Sequence, residues 1–169
     1  MTVGIQQPGE RYVALIELLR TAEALWSASR VFFERWDLSP SQFNILNLLH
    51  QQREGCSQVQ LSRQLIMHRS NVTGLVDRLE ARGLVRREDS ATDRRAFNVV
   101  LTPAGVALIV QILPQYYAAA ETVWGDLPPE RARQLVAELG QVSSNATQLA
   151  GAAGASAKPT VKTSSHHGE

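Results

Sequence analysis

A chain of 169 residues, 44% hydrophobic and 20% charged, has room for one domain with extensions and a sizeable core, and its balance is globular rather than disordered. Its one cysteine excludes a disulfide framework and any cysteine-based zinc site, and a formal charge of +1 excludes a polyelectrolyte. The charge is uneven, however: residues 61–97 carry eight arginines against five acids, net +3, whereas 1–60 and 98–169 are each net −1.

Residues 1–9 read as a flexible leader ending at Pro8-Gly9. No apolar run reaches the roughly 18 residues of a membrane span, and the amino terminus lacks signal-peptide regions. A soluble, cytoplasmic protein with no membrane partner is expected. From Glu10 to about Trp36 the pattern is helical, with one apolar stripe through Leu15, Leu19, Trp26 and Phe33 and another through Leu18, Leu25 and Phe32. A helix apolar on two sides in so small a chain points to a subunit interface.

Ser39-Pro40-Ser41-Gln42 starts a second helix with a capping box and a proline where no donor is needed. After Gly55, Ser57-Gln58-Val59-Gln60 repeats the box and opens a short helix to about Met67. A fourth helix runs from Arg69 to Gly83, with Val72, Leu75, Val76 and Leu79 at i, i+3, i+4, i+7. At about 100° per residue its opposite face holds Ser70, Thr73, Gly74, Asp77, Arg78 and Ala81, small or polar groups that let another surface come close. Leu84–Arg87 and Ala96–Leu101 read as strands of a hairpin with a charged tip. Thr102-Pro103 starts a fifth helix, apolar through Trp124 and expected to bend at Pro114; a sixth begins at Pro128-Pro129. The tail 150–169 is small and polar and is expected to be disordered.

Two short capped helices followed by a two-stranded wing make a winged helix-turn-helix. The second helix of the pair suits the major groove of duplex DNA, and arginines at a hairpin tip suit the minor groove. Helix starts at Ser57 and Arg69 would turn N–H groups to phosphates. The fold class expected is thus mainly α with a small β-wing, with residues 37–102 as the DNA-binding domain and 10–36 as an interface helix.

The run RSNVTGLVDRLEARGLVRREDSATDRRAFNVVLTPAG resembles the core of MarR-family transcriptional regulators. The wing pattern D-x-R-x-x-x-V-x-L-T is met by Asp93, Arg95, Val99, Leu101 and Thr102, and the likeness extends over about residues 10–149. The resemblance implies a homodimer joined by its first and last helices, 10–36 and 103–149, that binds a pseudo-palindromic operator, and repression relieved by a small, often aromatic, ligand. Carried over by position, it implies groove-facing roles for Thr73, Gly74 and Arg78, with Ser70 and Asn71 nearby. It implies a wing contact for Arg95 beside Arg94, oriented by Asp93. Arg87 would pair with Asp93. Arg78 and Arg82 are DNA candidates whose alternative is an ion pair with Asp77 or Glu80. Family members often carry a longer polar side chain where Gly74 stands.

Trp26, Arg30, Phe33, Tyr116 and Tyr117 are the candidate ligand pocket, with ordinary core or interface packing as the alternative. Cys56 reads as an inert small residue, against the alternative that a helix start lowers its pKa and makes it oxidisable. The histidines are too few and scattered for a metal site, so no metal or cofactor is expected. No paired catalytic carboxylates, phosphate loop or nucleophile arrangement points to an enzyme. A winged-helix module that binds proteins instead of DNA is the competing function.

Overall fold

The structure, a computed structural model, describes residues 9–65, 69–89 and 97–156, and the side chains of all these except 69–70 and 153–156. The leader 1–8, the expected end of the third helix at Met67, the hairpin tip 90–96 and the tail beyond 156 lie outside the described residues. The chain divides into two units, Met1–Tyr117 and Ala118–Glu169.

In the first unit, α1 (Glu10–Glu34) ends two residues before Trp36 in a tight turn. Leu38 N–H donates to the Phe33 carbonyl and Asp37 N–H to the Glu34 carbonyl, with Asp37 in the left-handed region at φ 52°. Glycine is the usual occupant of that helix-terminating position. Helices α2 (Pro40–Gln51) and α3 (Gln58–Gln64) both open with complete capping boxes. In each, the serine hydroxyl accepts an amide at 3.2 Å and the glutamine returns the bond at 2.8 Å. Helix α4 (Arg69–Ala81) ends at Gly83, φ 68°, where Leu84 N–H reaches the Leu79 carbonyl and Gly83 N–H the Glu80 carbonyl.

The wing strands are β2 (Val85–Asp89) and β3 (Phe97–Leu101), antiparallel with Val85 opposite Leu101 and Asp89 opposite Phe97. A third strand, β1 (Cys56–Ser57), pairs with the other edge of β3, giving the order β1-β3-β2. The expected two-stranded hairpin is therefore a three-stranded sheet. A two-residue strand has no alternation to read, and β1 is made only by the sheet edge it meets. Gly55 allows this approach: at φ 81° it lies so close to Val99 and Val100 that a Cβ would collide with both.

The core lies between α2, α4, the sheet and the start of α5 (Pro103–Trp124), with Ile45, Leu46, Leu61, Val72, Val76, Leu79, Val99 and Ile109 fully buried. Thr102 joins three elements: its hydroxyl donates to the Gly83 carbonyl at 2.6 Å and accepts from Gly105 N–H at 3.1 Å, while its amide donates to the Leu84 carbonyl. α5 is continuous through Pro114. In the second unit, α6 (Pro129–Ser156) runs past the expected boundary at Ala150. It leaves Val136, Val142 and Leu149 exposed. Among the described residues, no helix is long and apolar enough to cross a membrane.

A Cβ at Gly105 would strike the Leu84 carbonyl oxygen. We predict that Gly105→Ala destabilises the protein by about 2 kcal/mol, since overpacking a fixed backbone forces a shift. A thermal melt that is unchanged would contradict this packing.

Candidate nucleic-acid interface

Four apolar side chains orient α4. Val72, Val76 and Leu79 are fully buried and Leu75 nearly so, which turns the opposite side of the helix outward. That outward side has two edges. The first, Thr73, Asp77 and Glu80, is taken up by neighbours. Thr73 hydroxyl donates to Gln58 Oε1 of α3 at 3.0 Å. Arg87, half-buried in β2, pairs its guanidinium with both Asp77 and Glu80, and its backbone N–H donates to Glu80 Oε1 at 3.0 Å. The hydrogen bond to Asp77 and the nearby Glu80 charge raise the Arg87 pKa against the opposing effect of burial. Both carboxylates that would repel a phosphate are thus paired to a strand arginine. The partner of Arg87 among the described residues is this pair; Asp93, the expected one, lies outside them.

The second edge is open. Asn71 and Arg78 are exposed, and a Cβ built at Gly74 would meet nothing within 4 Å. Among the described residues Arg78 has no ion-pair partner. The result is a shallow, sterically open strip with one cation on it. Arg82, just past the helix, belongs to neither edge. Its guanidinium donates to the carbonyls of Trp36 (3.0 Å) and Asp37, so neither Asp77 nor Glu80 is its partner. The reason is directional: Asp77 and Glu80 face β2, while Arg82 emerges toward the α1–α2 turn.

Ser57 spends both its hydroxyl and its backbone N–H on the capping box, leaving the next amides as the outward donors of α3. Arg69 and Ser70 begin α4, with their side chains outside the description. Asp93, Arg94 and Arg95 fall in the connection between β2 and β3, outside the described residues. Arg86, exposed on β2, pairs with Glu88 at 2.7 Å.

The effector candidates separate. Phe33 and Tyr116 come together with Phe43 and Phe32: Phe33 stacks on Phe43 at 4.3 Å, and Tyr116 lies 4.8 Å from Phe43 and 5.4 Å from Phe33. Phe33 is 1% exposed. Trp26 and Tyr117 are largely exposed, and among the described residues no ring contact ties them to this cluster. Arg30 is exposed and donates to Ser27 at 3.1 Å. A cleft of about 340 Å³ opens elsewhere, lined by Leu49, His50, Arg53, Leu101 and Val106. Sequence reasoning missed it, because the end of α2 and the β3–α5 junction, far apart in sequence, build it together. Among the described residues no group of three or more metal-ligating side chains exists.

Cys56 is fully buried in β1, one residue before the α3 N-cap Ser57, and its thiol donates to Gln52 Oε1 at 2.6 Å. Burial pushes its pKa up, the reverse of the lowering a helix start would give.

A family model described as MarR family matches residues 36–96. The chain is 30% identical over 112 residues to the HTH-type transcriptional regulator MhqR of Bacillus subtilis, covering 66% of this chain and 77% of that one. It is 32% identical over 117 residues to the HTH-type transcriptional regulator PecS of Dickeya dadantii, covering 67% and 69%. Among solved structures, BpsR of Bordetella bronchiseptica, whose DNA binding is regulated by 6-hydroxynicotinic acid, superposes with a TM-score of 0.64 at 28% identity, over 77% of this chain and 98% of that one.

Two outcomes follow from this geometry. Gly74→Ala adds a methyl group to open space in a helix, so it should stabilise the free protein by about 1 kcal/mol in denaturant titration; a loss of stability would mean that the strip is covered. For Cys56, the folded chain holds its thiol proton at pH values where the unfolded chain has lost it. Stability should therefore fall as pH rises above about 8.5, the ordinary thiol value, and Cys56→Ser should remove that part of the decline. The same slope in both proteins would contradict it.

Proposed function

Because this chain belongs to the MarR family of DNA-binding transcriptional regulators, we propose that it works as a homodimeric repressor of a pseudo-palindromic operator, released by a small aromatic effector. The single observation that carries the reading is the open edge Asn71–Gly74–Arg78, presented by a helix whose other sides are buried or paired. A duplex major groove admits such a helix, and Arg78 is placed to reach a base edge or phosphate. A glycine at the centre of the strip lets the backbone approach closely and moves discrimination to Arg78 and to DNA shape. Ser57, Arg69, Ser70 and Thr73 flank this strip in the proposed contact. Arg94 and Arg95, with Asp93 orienting them, complete it from the wing.

Dimerisation is supported by apolar side chains left exposed on α1: Leu15, Leu19, Leu25 and Val31, the last 72% exposed. Apolar surface of this extent marks an interaction site. The same holds for the exposed row on α6. Two subunits related by a two-fold axis would set their α4 helices into successive major grooves, about 34 Å apart. An effector, by analogy with the regulated DNA binding of BpsR, would act by preferring the arrangement that cannot bind DNA. The Phe33–Tyr116 cluster is its proposed seat; Trp26, Arg30 and Tyr117, which stand exposed and apart from that cluster, are left out of it.

Selection of duplexes from a randomised pool tests the reading. It predicts an inverted repeat with half-sites one helical turn apart, and affinity that falls steeply with salt. Arg95→Ala should weaken binding to all sequences alike and lower the salt slope by about 1 per subunit, whereas Arg78→Ala should relax base preference within each half-site. Enrichment of no sequence above the starting pool would overturn the proposal.

A further inference from the structure

The exposed end of α4 carries an arginine that geometry assigns a different task from its neighbours. Arg82 follows the last residue of the helix, and its Nη1 and Nη2 reach two successive main-chain carbonyls, those of Asp37 and Trp36, 45 and 46 residues away in sequence. Those carbonyls lie in the turn that follows α1, whose own closing hydrogen bonds end on the Phe33 and Glu34 carbonyls. Arg35, the residue that caps that helix, donates its Nε to the Phe32 carbonyl at 3.2 Å, so the helix end has a cation of its own and the turn beyond it is left to Arg82. The turn also holds Asp37 at φ 52°, a conformation an L residue adopts at a cost and keeps when its surroundings over-determine it. On its other side the Trp36 ring packs at 5.4 Å from Phe32 and under the Arg35 guanidinium at 4.4 Å. The turn is thus gripped from both faces.

We propose that Arg82 is a positioning residue, which clips the C-terminal end of the recognition helix to the α1–α2 turn and sets the angle of the helix without itself contacting phosphate. The inference rests on the DNA-binding role proposed above. A guanidinium suits the task because its planar fork offers a separate nitrogen to each acceptor in a fixed geometry, whereas an ammonium must serve both from one freely rotating nitrogen. The Asp37 carboxylate contributes little: it lies 3.8 Å from Arg82 Nη1 and is 95% exposed, so water screens the pair. The clip runs through the main chain. It is not visible as a pattern in the sequence, because neither Trp36 nor Asp37 supplies the acceptor through its side chain.

The test uses the duplex that the wild-type protein selects from a randomised pool, with R82A, R82K and D37N measured over a salt series. Both Arg82 variants should lose about tenfold in affinity, the size of one charge-assisted hydrogen-bond set, with the salt slope unchanged. D37N should bind as wild type. A slope lowered by about 1 per subunit in R82A would instead mark a lost phosphate contact and overturn the proposal. So would full affinity in R82K, which keeps the charge and loses the fork, and R82K decides the matter if R82A does not fold. Amide hydrogen exchange supplies a readout without DNA: Asp37 and Leu38 should exchange faster in R82K than in wild type, and equal rates would overturn the clip. Failure of the wild-type protein to select any duplex, with exchange still accelerated in R82K, would count against the DNA-binding role and not against the clip.

Discussion

The burial of Val72, Leu75, Val76 and Leu79 is the constraint from which the remaining geometry follows. Four side chains of this kind remove enough apolar surface from water to stabilise the fold by several kcal/mol, at about 1.5–3 kcal/mol each. They also fix the rotation of α4 about its own axis. Once that rotation is set, one edge of the helix meets Gln58 and Arg87, and among the described residues the other edge meets no neighbour. The proposed function depends on that opening: among the described residues no side chain fills the space beside Gly74, and Asp77 and Glu80 are drawn to the opposite edge.

The supporting elements are short, and their ends rather than their lengths stabilise them. α3 has seven residues, fewer than an isolated helix needs to be stable in water. Its capping box, the β1–β3 pairing just before it and the buried Leu61 hold it against the core. Thr102 does comparable work on the far side, where one hydroxyl links the turn after α4 to the first turn of α5. A tightly pinned platform of this kind is what a recognition surface needs, since an error of an ångström in helix placement would misalign every base contact.

Much of this was legible in the sequence. Both Ser-x-x-Gln boxes, the four-residue apolar stripe and the paired strands of the wing occupy the positions that periodicity and capping chemistry predict. The family resemblance rests on the same residues. What escaped sequence reading has a common physical character. The strand β1, the Arg87 pairing with Asp77 and Glu80, and the grip of Arg82 on the Trp36 and Asp37 carbonyls all join groups that no local pattern relates. The capping serine beside Cys56 marks the helix start correctly, but nothing local shows that the sheet edge also pairs this residue and buries it completely. Among the aromatic candidates, spacing along α1 and α5 identified the faces but could not say that Phe33 and Tyr116 turn inward while Trp26 and Tyr117 stay exposed.

Cross-linking from position 74 tests the central claim most directly. Because the native thiol is buried, a Gly74→Cys variant can be labelled at that site with a photoreactive group and irradiated on the selected duplex. The account predicts efficient cross-links to bases within each half-site, and few from the same group carried at Gln111, an exposed position on α5. Equal yields from the two positions, or cross-links from Gln111 alone, would contradict it.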